Sequence, residues 1–144
     1  MDTLTGHLSD LPASGNQTLD LPNAVRPELF AGWAERRLGK AVGMTQFGVN
    51  HLTLEPGAAS SLRHWHEAED EFAFVLSGTV TLVDDNGEHV LGEGAFAGFP
   101  AGVANGHHLV NRSNARVTLL VVGSRRTGAE TITYPADDIG PFRK

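Results

Sequence analysis

The stretch RHWHEAEDEFAFVLSG, residues 63–78, decides how the chain is read. It sets His64 and His66 one residue apart, places four acids in the next five positions, and runs through an apolar segment to Gly78. With seven histidines in 144 residues, a chance H-x-H somewhere has a probability of about one in three, so the pair alone is weak. Its geometry is more useful. On a strand, positions two apart face the same side, and both imidazoles can reach one ion. If that strand simply continued, Asp70 would share the histidine face and Glu71 would not. Alternatively, HEAED is a tight polar connection. A new strand then starts at Glu71, runs antiparallel to the first and returns the Glu71 carboxylate to the histidines. For Glu67, Glu69 and Asp70 the bland expectation is a solvated loop.

Outward from this stretch the signals are short and β-like. TQFGVNHLTLEPG ends in a Pro-Gly turn. TVTLVDDNGEHVLGEG reads as a hairpin with Asn86-Gly87 as its turn. AFAGFPAG, HHLVN and RVTLLVVG follow, each bounded by Gly, Pro, Asn or Ser. Many short strands with turns every 8–12 residues or so predict an all-β sandwich or barrel. Residues 1–24, rich in Ser, Thr, Asn, Asp and Pro, read as an N-terminal arm, loose or packed on a partner subunit. Residues 25–144 form the single domain. RPELFAGWAERRL (26–38) is expected as a short helix or turn anchored by Leu29, Phe30 and Trp33.

The bulk numbers narrow the function. A net charge of −6 and a pI near 5.5 argue against a nucleic-acid partner, since phosphate backbones want a basic surface. There is no cysteine, so disulfides and thiolate chemistry are out, and a metal would take His, carboxylates, amides or water. No segment approaches the roughly 20 apolar residues of a membrane helix, and the N-terminus lacks the form of a signal peptide. No membrane partner is expected, and the default location is the cytoplasm. No G-x-S-x-G elbow is present, and GEGAFAG lacks the Lys-Ser or Lys-Thr of a phosphate loop.

Two spaced motifs in the centre of the chain resemble those of the cupin superfamily. The first is Gly57, six residues (where the family usually has five), His64-Trp65-His66, four residues, Glu71, six residues and Gly78. The second is Gly94, five residues, Pro100-Ala101-Gly102, His107 and Asn111. Its histidine comes two residues later than the pattern, as if two residues were inserted at Asn105-Gly106. Together the motifs span 57–111. The resemblance implies a cupin-type double-stranded β-helix, a jelly-roll barrel, with one divalent transition metal per chain inside it. Carried over position by position, the metal ligands are His64, His66, Glu71 and His107. His108 competes with His107 for the last place; the spacing to Asn111 favours His107.

Three imidazoles and a carboxylate suit Zn, Fe, Mn or Ni better than Ca or Mg, with zinc the occupant expected on purification. No cofactor besides the metal is implied. Such an ion can act as a Lewis acid or take a substrate together with O₂. The expectation is therefore a small metalloenzyme, an oxygenase, isomerase or lyase, acting on a small polar molecule in the barrel. The alternative is a non-catalytic binding or sensing module with a structural metal. Phe72, Phe74, Phe96 and Phe99 are candidates for the barrel lining, while Trp65 and Arg63 should face away from His64 and His66. His51 is expected to hold a hydrogen-bonded structural role, with His7 and His89 outside the site. A homodimer is expected, because a β-rich chain must cover its sheet edges.

Overall fold

The computed structural model describes residues 4–15, 26–126, 128–135 and 139–143. Residues 1–3 and 16–24 of the arm, and residue 25, lie outside them. The strands are β1 (Trp33–Arg37), β2 (Phe47–Leu54), β3 (Trp65–His66), β4 (Glu71–Ser77), β5 (Val80–Asp84), β6 (Gly87–Leu91), β7 (Phe96–Phe99), β8 (His108–Val110), β9 (Val117–Ser124), β10 (Thr131–Tyr134) and β11 (Ile139–Arg143), with one helical turn, α1 (Leu38–Ala41). All strand pairs are antiparallel. One wall has the order β1-β2-β9-β4-β7. The other is built from β11-β10-β3 and β6-β5-β8, which are stitched together by the bridges His64↔His107 and Ala59↔Val110. The all-β jelly-roll expectation holds.

Inward alternation on the first wall builds the core. Leu52, Leu54, Ala73, Val75, Val117 and Leu119 are buried, and Val80, Leu82 and Leu109 meet them from the opposite wall. A smaller cluster joins Phe30, Leu62, Ile132 and Tyr134. The core leaves part of the barrel open as a cavity, which Leu52, Ala73 and Leu109 of the first cluster and Ile132 and Tyr134 of the second also line.

Several local expectations change. The 26–38 segment is a single 3-10 turn, Pro27–Phe30, followed by strand β1. Phe30 and Trp33 do anchor it, ring edge to ring face at 6.1 Å; burial against the barrel outweighs the local helical bias. The hairpin turn is Asp85-Asn86, one residue earlier than read, because Gly87 already pairs with Asp84. Gly87 supplies the positive φ of 117°. The described part of the arm packs on this chain's own barrel. Ser14 pairs with Glu35 on the β1 edge, and the Leu11 carbonyl accepts from Arg36 Nε at 3.2 Å.

Two residues of the motifs close the barrel. Gly78 has φ +84°, and a Cβ there would lie 2.6 Å from the Arg116 carbonyl oxygen. Asn111, fully buried, donates from Nδ2 to the carbonyls of Leu54 and Ala115, both at 2.8 Å. Its Oδ1 accepts from Ser113. Asn111→Ala would leave these groups unpaired at a cost of about 2–4 kcal/mol. The expected result is a melting temperature lower by roughly 10 °C in calorimetry; an unchanged value would show that Asn111 does not hold the strands together.

Candidate metal centre

The cavity at the open end of the barrel has a volume of about 900 Å³. His64, His66, Glu71 and His107 converge on its wall. β3 carries His66, and His64 sits at the bridge just before it. The polar connection 67–70 turns the chain out of β3, so that β4 opens at Glu71 with its side chain inward. The tight-connection reading therefore holds, with one change. β3 and β4 are not paired but lie in opposite walls, and Glu71 reaches the histidines across the barrel.

The distances suit a shared ion. Glu71 Oε1 is 2.7 Å from His107 Nε2, and Oε2 is 3.4 Å from His66 Nε2 and 3.5 Å from His64 Nε2. Neighbouring donors around an ion at about 2.1 Å stand roughly 3 Å apart. The far nitrogens settle the chemistry. His64 Nδ1 faces the Leu62 carbonyl at 2.7 Å, His107 Nδ1 the Asn105 carbonyl at 2.9 Å, and His66 Nδ1 the Glu130 carboxylate at 3.0 Å. Each of these partners only accepts, so each Nδ1 carries its proton. In its neutral form each ring then points an Nε2 lone pair at a carboxylate. Such a set is satisfied by a cation at its centre or by extra protons. His64, His66 and Glu71 form a group that could hold a metal ion, and the residues present fit one.

Protonation follows the same logic. In the metal-free set burial pushes the Glu71 carboxyl up, but the hydrogen bonds that His107, His64 and His66 make to it once their Nε2 atoms take up protons outweigh it and hold the group well below the usual carboxylate range. Burial lowers His66, yet the Glu71 and Glu130 carboxylates prevail and raise it. Tyr134, on the cavity wall with its ring 5.8 Å from that of His64, is raised by burial and by the charge of Glu71 and stays a phenol.

The inserted residues have a purpose. Asn105 supplies the carbonyl that orients His107, and its side chain accepts from the Asp85 backbone N–H and donates to Asp84, tying the loop to the β5–β6 turn. Phe99 stacks on the His107 ring at 3.5 Å. His108 also lines the cavity, but its Nδ1 faces the Ser61 carbonyl at 2.8 Å, outside the convergent set.

Other residues fall differently from expectation. Glu69 is not solvated: it is buried, accepts from the Arg126 N–H and lies beside Glu130 and His66. Glu67 and Asp70 are exposed, as expected. Of the four phenylalanines only Phe99 lines the cavity; β4 points Ala73 inward, so Phe72 and Phe74 fall on the outer face. Phe72 stacks there on Phe96, which is 67% exposed. Trp65 and Arg63 do face away, Arg63 binding the Gly106 carbonyl and Asp85. His7 and His89 are exposed. His51 lacks the expected hydrogen bond: its Nδ1 is buried without a partner among the described residues, and burial, aided by Arg36, lowers its pKa. Glu130 and Tyr134 escaped the sequence reading, because they lie more than sixty residues beyond His64 and His66, just before and at the end of β10, a segment with no motif.

Comparisons with known proteins agree with this geometry. Residues 50–123 match the family model of the cupin domain. The curated proteins hold no match to the chain. Among solved structures, a sugar phosphate isomerase of the cupin superfamily from Silicibacter pomeroyi is 45% identical, with a TM-score of 0.82, covering 89% of this chain and 79% of that one. A proposed sugar phosphate isomerase from Acidithiobacillus ferrooxidans is 34% identical, with a TM-score of 0.69, covering 74% and 69%. A polyketide cyclase from Streptomyces resistomycificus is 25% identical, with a TM-score of 0.63, covering 83% and 78%. Cupins usually bind a divalent metal, and the His/Glu group here could bind one. The barrel, its two motifs and these relatives make the chain a member of the cupin superfamily.

Proposed function

We propose that the chain is a metal-dependent isomerase of a small phosphorylated sugar, with His64, His66, Glu71 and His107 as the metal ligands. The observation that carries the reading is the convergence of three Nε2 atoms and a carboxylate, each ring held by an acceptor on its far nitrogen. The two relatives that carry the name sugar phosphate isomerase direct the choice of reaction. A divalent ion in this set would be a Lewis acid that polarises a carbonyl and acidifies the adjacent C–H.

The chain's own groups would do the rest. Interconversion of an aldose and a ketose moves one proton between adjacent carbons and one between their oxygens. His108 is the residue we assign to the carbon-bound proton. It lines the cavity outside the ligand set, and the Ser61 carbonyl holds its Nδ1–H, which makes Nε2 the basic nitrogen. Tyr134, kept protonated, is placed to donate to a substrate oxygen. Leu52, Ala73, Phe99 and Val121 line the same cavity with apolar surface that limits water around the reacting carbons.

Glu130 fits this picture as an orienting partner. Its Oε2 holds His66 while Oε1 accepts from the Ala68 N–H at 3.1 Å, and its side chain is fully buried. Carboxylates behind a ligating histidine raise its basicity and fix its ring.

Elemental analysis should find about one divalent transition metal per chain, lost in the His64→Ala/His66→Ala protein. Incubation of pentose and hexose phosphates in D₂O should place deuterium on the carbon beside the carbonyl, and His108→Ala should abolish that exchange while keeping the metal. No exchange with any such substrate by a metal-loaded protein would overturn the isomerase reading. Glu130→Gln should weaken metal binding by about 10- to 100-fold in chelator competition.

The pH dependence has opposite signs in the two forms. In metal-free protein, the raised His66 value gives stability that is complete below its ordinary value of 6.5 and lost as pH rises through the raised one. Metal needs the neutral ring, so its affinity falls as pH drops through the same value. Between pH 8 and 6, melting curves should show the metal-free protein gaining stability from His66 and the metal-induced increment shrinking.

A further inference from the structure

The far end of the cavity carries charges that the metal centre does not use. Arg37, at the end of edge strand β1, and Lys40, on α1, both line it. Register places Arg37 opposite Asn50, Asn50 opposite Val121, and Val121 opposite Ala73, so these four make one row across the wall. All four face the cavity. Glu71 lies two residues from Ala73 on the same face of β4. Three strand spacings separate the ends of this row by about 14 Å at the backbone. The Arg37 and Glu71 side chains reach into that span, which leaves it on the scale of a small phosphorylated molecule rather than a polymer.

The charges are asymmetric. Glu35 also faces the cavity and holds Arg37 Nε at 3.2 Å. Arg37 remains 56% exposed at its side chain, against 17% for Glu35. Lys40 pairs with no carboxylate among the described residues. The polar end therefore holds one surplus positive charge in a chain whose net charge is −6. Between it and the histidines the wall is apolar: Leu52, Val121, Ala73. A cavity with a carboxylate–histidine set at one end, apolar walls and two cations at the other suits a molecule that is polar at one end and anionic at the other.

We propose that Arg37 and Lys40, with the Asn50 amide between them and the apolar wall, form a subsite for the phosphate monoester end of the substrate. This rests on the isomerase reading above, in which the opposite end of the same molecule lies at His64 and Glu71. Glu35 sets the strength of the subsite by competing for the Arg37 guanidinium. The rival account is that Arg37 is an inward charge guarding an edge strand and that its pair with Glu35 is an exposed ion pair of little consequence.

Calorimetric titration with 4-phosphoerythronate and with erythronate, its unphosphorylated counterpart, separates the two. The wild-type protein should bind the phosphorylated compound at least about tenfold more tightly, as charge-assisted hydrogen bonds from two cations require. Arg37→Ala/Lys40→Ala should bring the ratio close to one without changing erythronate binding. Glu35→Gln should tighten the phosphorylated compound severalfold and leave erythronate alone, an increase that a failure to fold cannot imitate. Equal affinity for the two compounds, no binding of the phosphorylated one, or a preference that survives in Arg37→Ala/Lys40→Ala would overturn the subsite. A preference that depends on Arg37 and Lys40 in a protein that holds no metal and exchanges no deuterium would sink the isomerase reading and leave the subsite standing.

Discussion

Three hydrogen-bond acceptors decide the chemistry of this barrel. The Leu62 carbonyl, the Asn105 carbonyl and the Glu130 carboxylate each take the Nδ1 proton of one histidine. The tautomer is thereby fixed before any ligand arrives, and the Nε2 atoms turn toward Glu71 as acceptors facing an acceptor. Such a set is unfavourable unless a cation fills it or protons are taken up. The rest of the molecule can be understood as the means of holding it. Two antiparallel walls bring β3, β4 and the start of β8 to one point, and the Asn111 amide and the Gly78 turn close the barrel around them.

The acceptors differ in what supports them. Leu62 is buried in the smaller hydrophobic cluster, which holds its carbonyl in place. Asn105 sits in a surface loop, and that loop is tied down by its amide to the β5–β6 turn. Glu130 is the most demanding, a buried carboxylate that shares a hydrogen bond with a second acidic side chain, Glu69. Burial raises Glu130, but Glu69, the Ala68 N–H and His66 together pull it below its ordinary value. The exchange of apolar packing for a polar network here costs stability that the two hydrophobic clusters must supply.

The cavity is polar at two separated places. One is the histidine set, the other the Arg37–Lys40 end, with apolar wall between them. A molecule that satisfies both must have a definite length and a definite charge, which is how a small pocket discriminates with few contacts. The arm contributes here as well: Leu11, Pro12 and Ser14 line the mouth, and Ser14 pairs with the otherwise open edge of β1.

The sequence by itself determined the barrel and most of the histidine set. Strand alternation and turn residues are local, and H-x-H on an extended backbone must present both rings to one side. The two spaced motifs singled out His64, His66, Glu71 and His107, and the structure brings these four to one point. Only the tertiary structure decided the rest, because those decisions depend on contacts between distant segments. Glu69 reads as a loop acid until the Arg126 N–H and Glu130, about sixty residues on, bury it. Glu130 and Tyr134 belong to no motif and enter through the pairing of β10 with β3. Phe72 and Phe74 were left outside because the inward phase of β4 starts at Glu71. Arg37 met Asn50 through strand register, a relation between segments that no local pattern in the chain encodes.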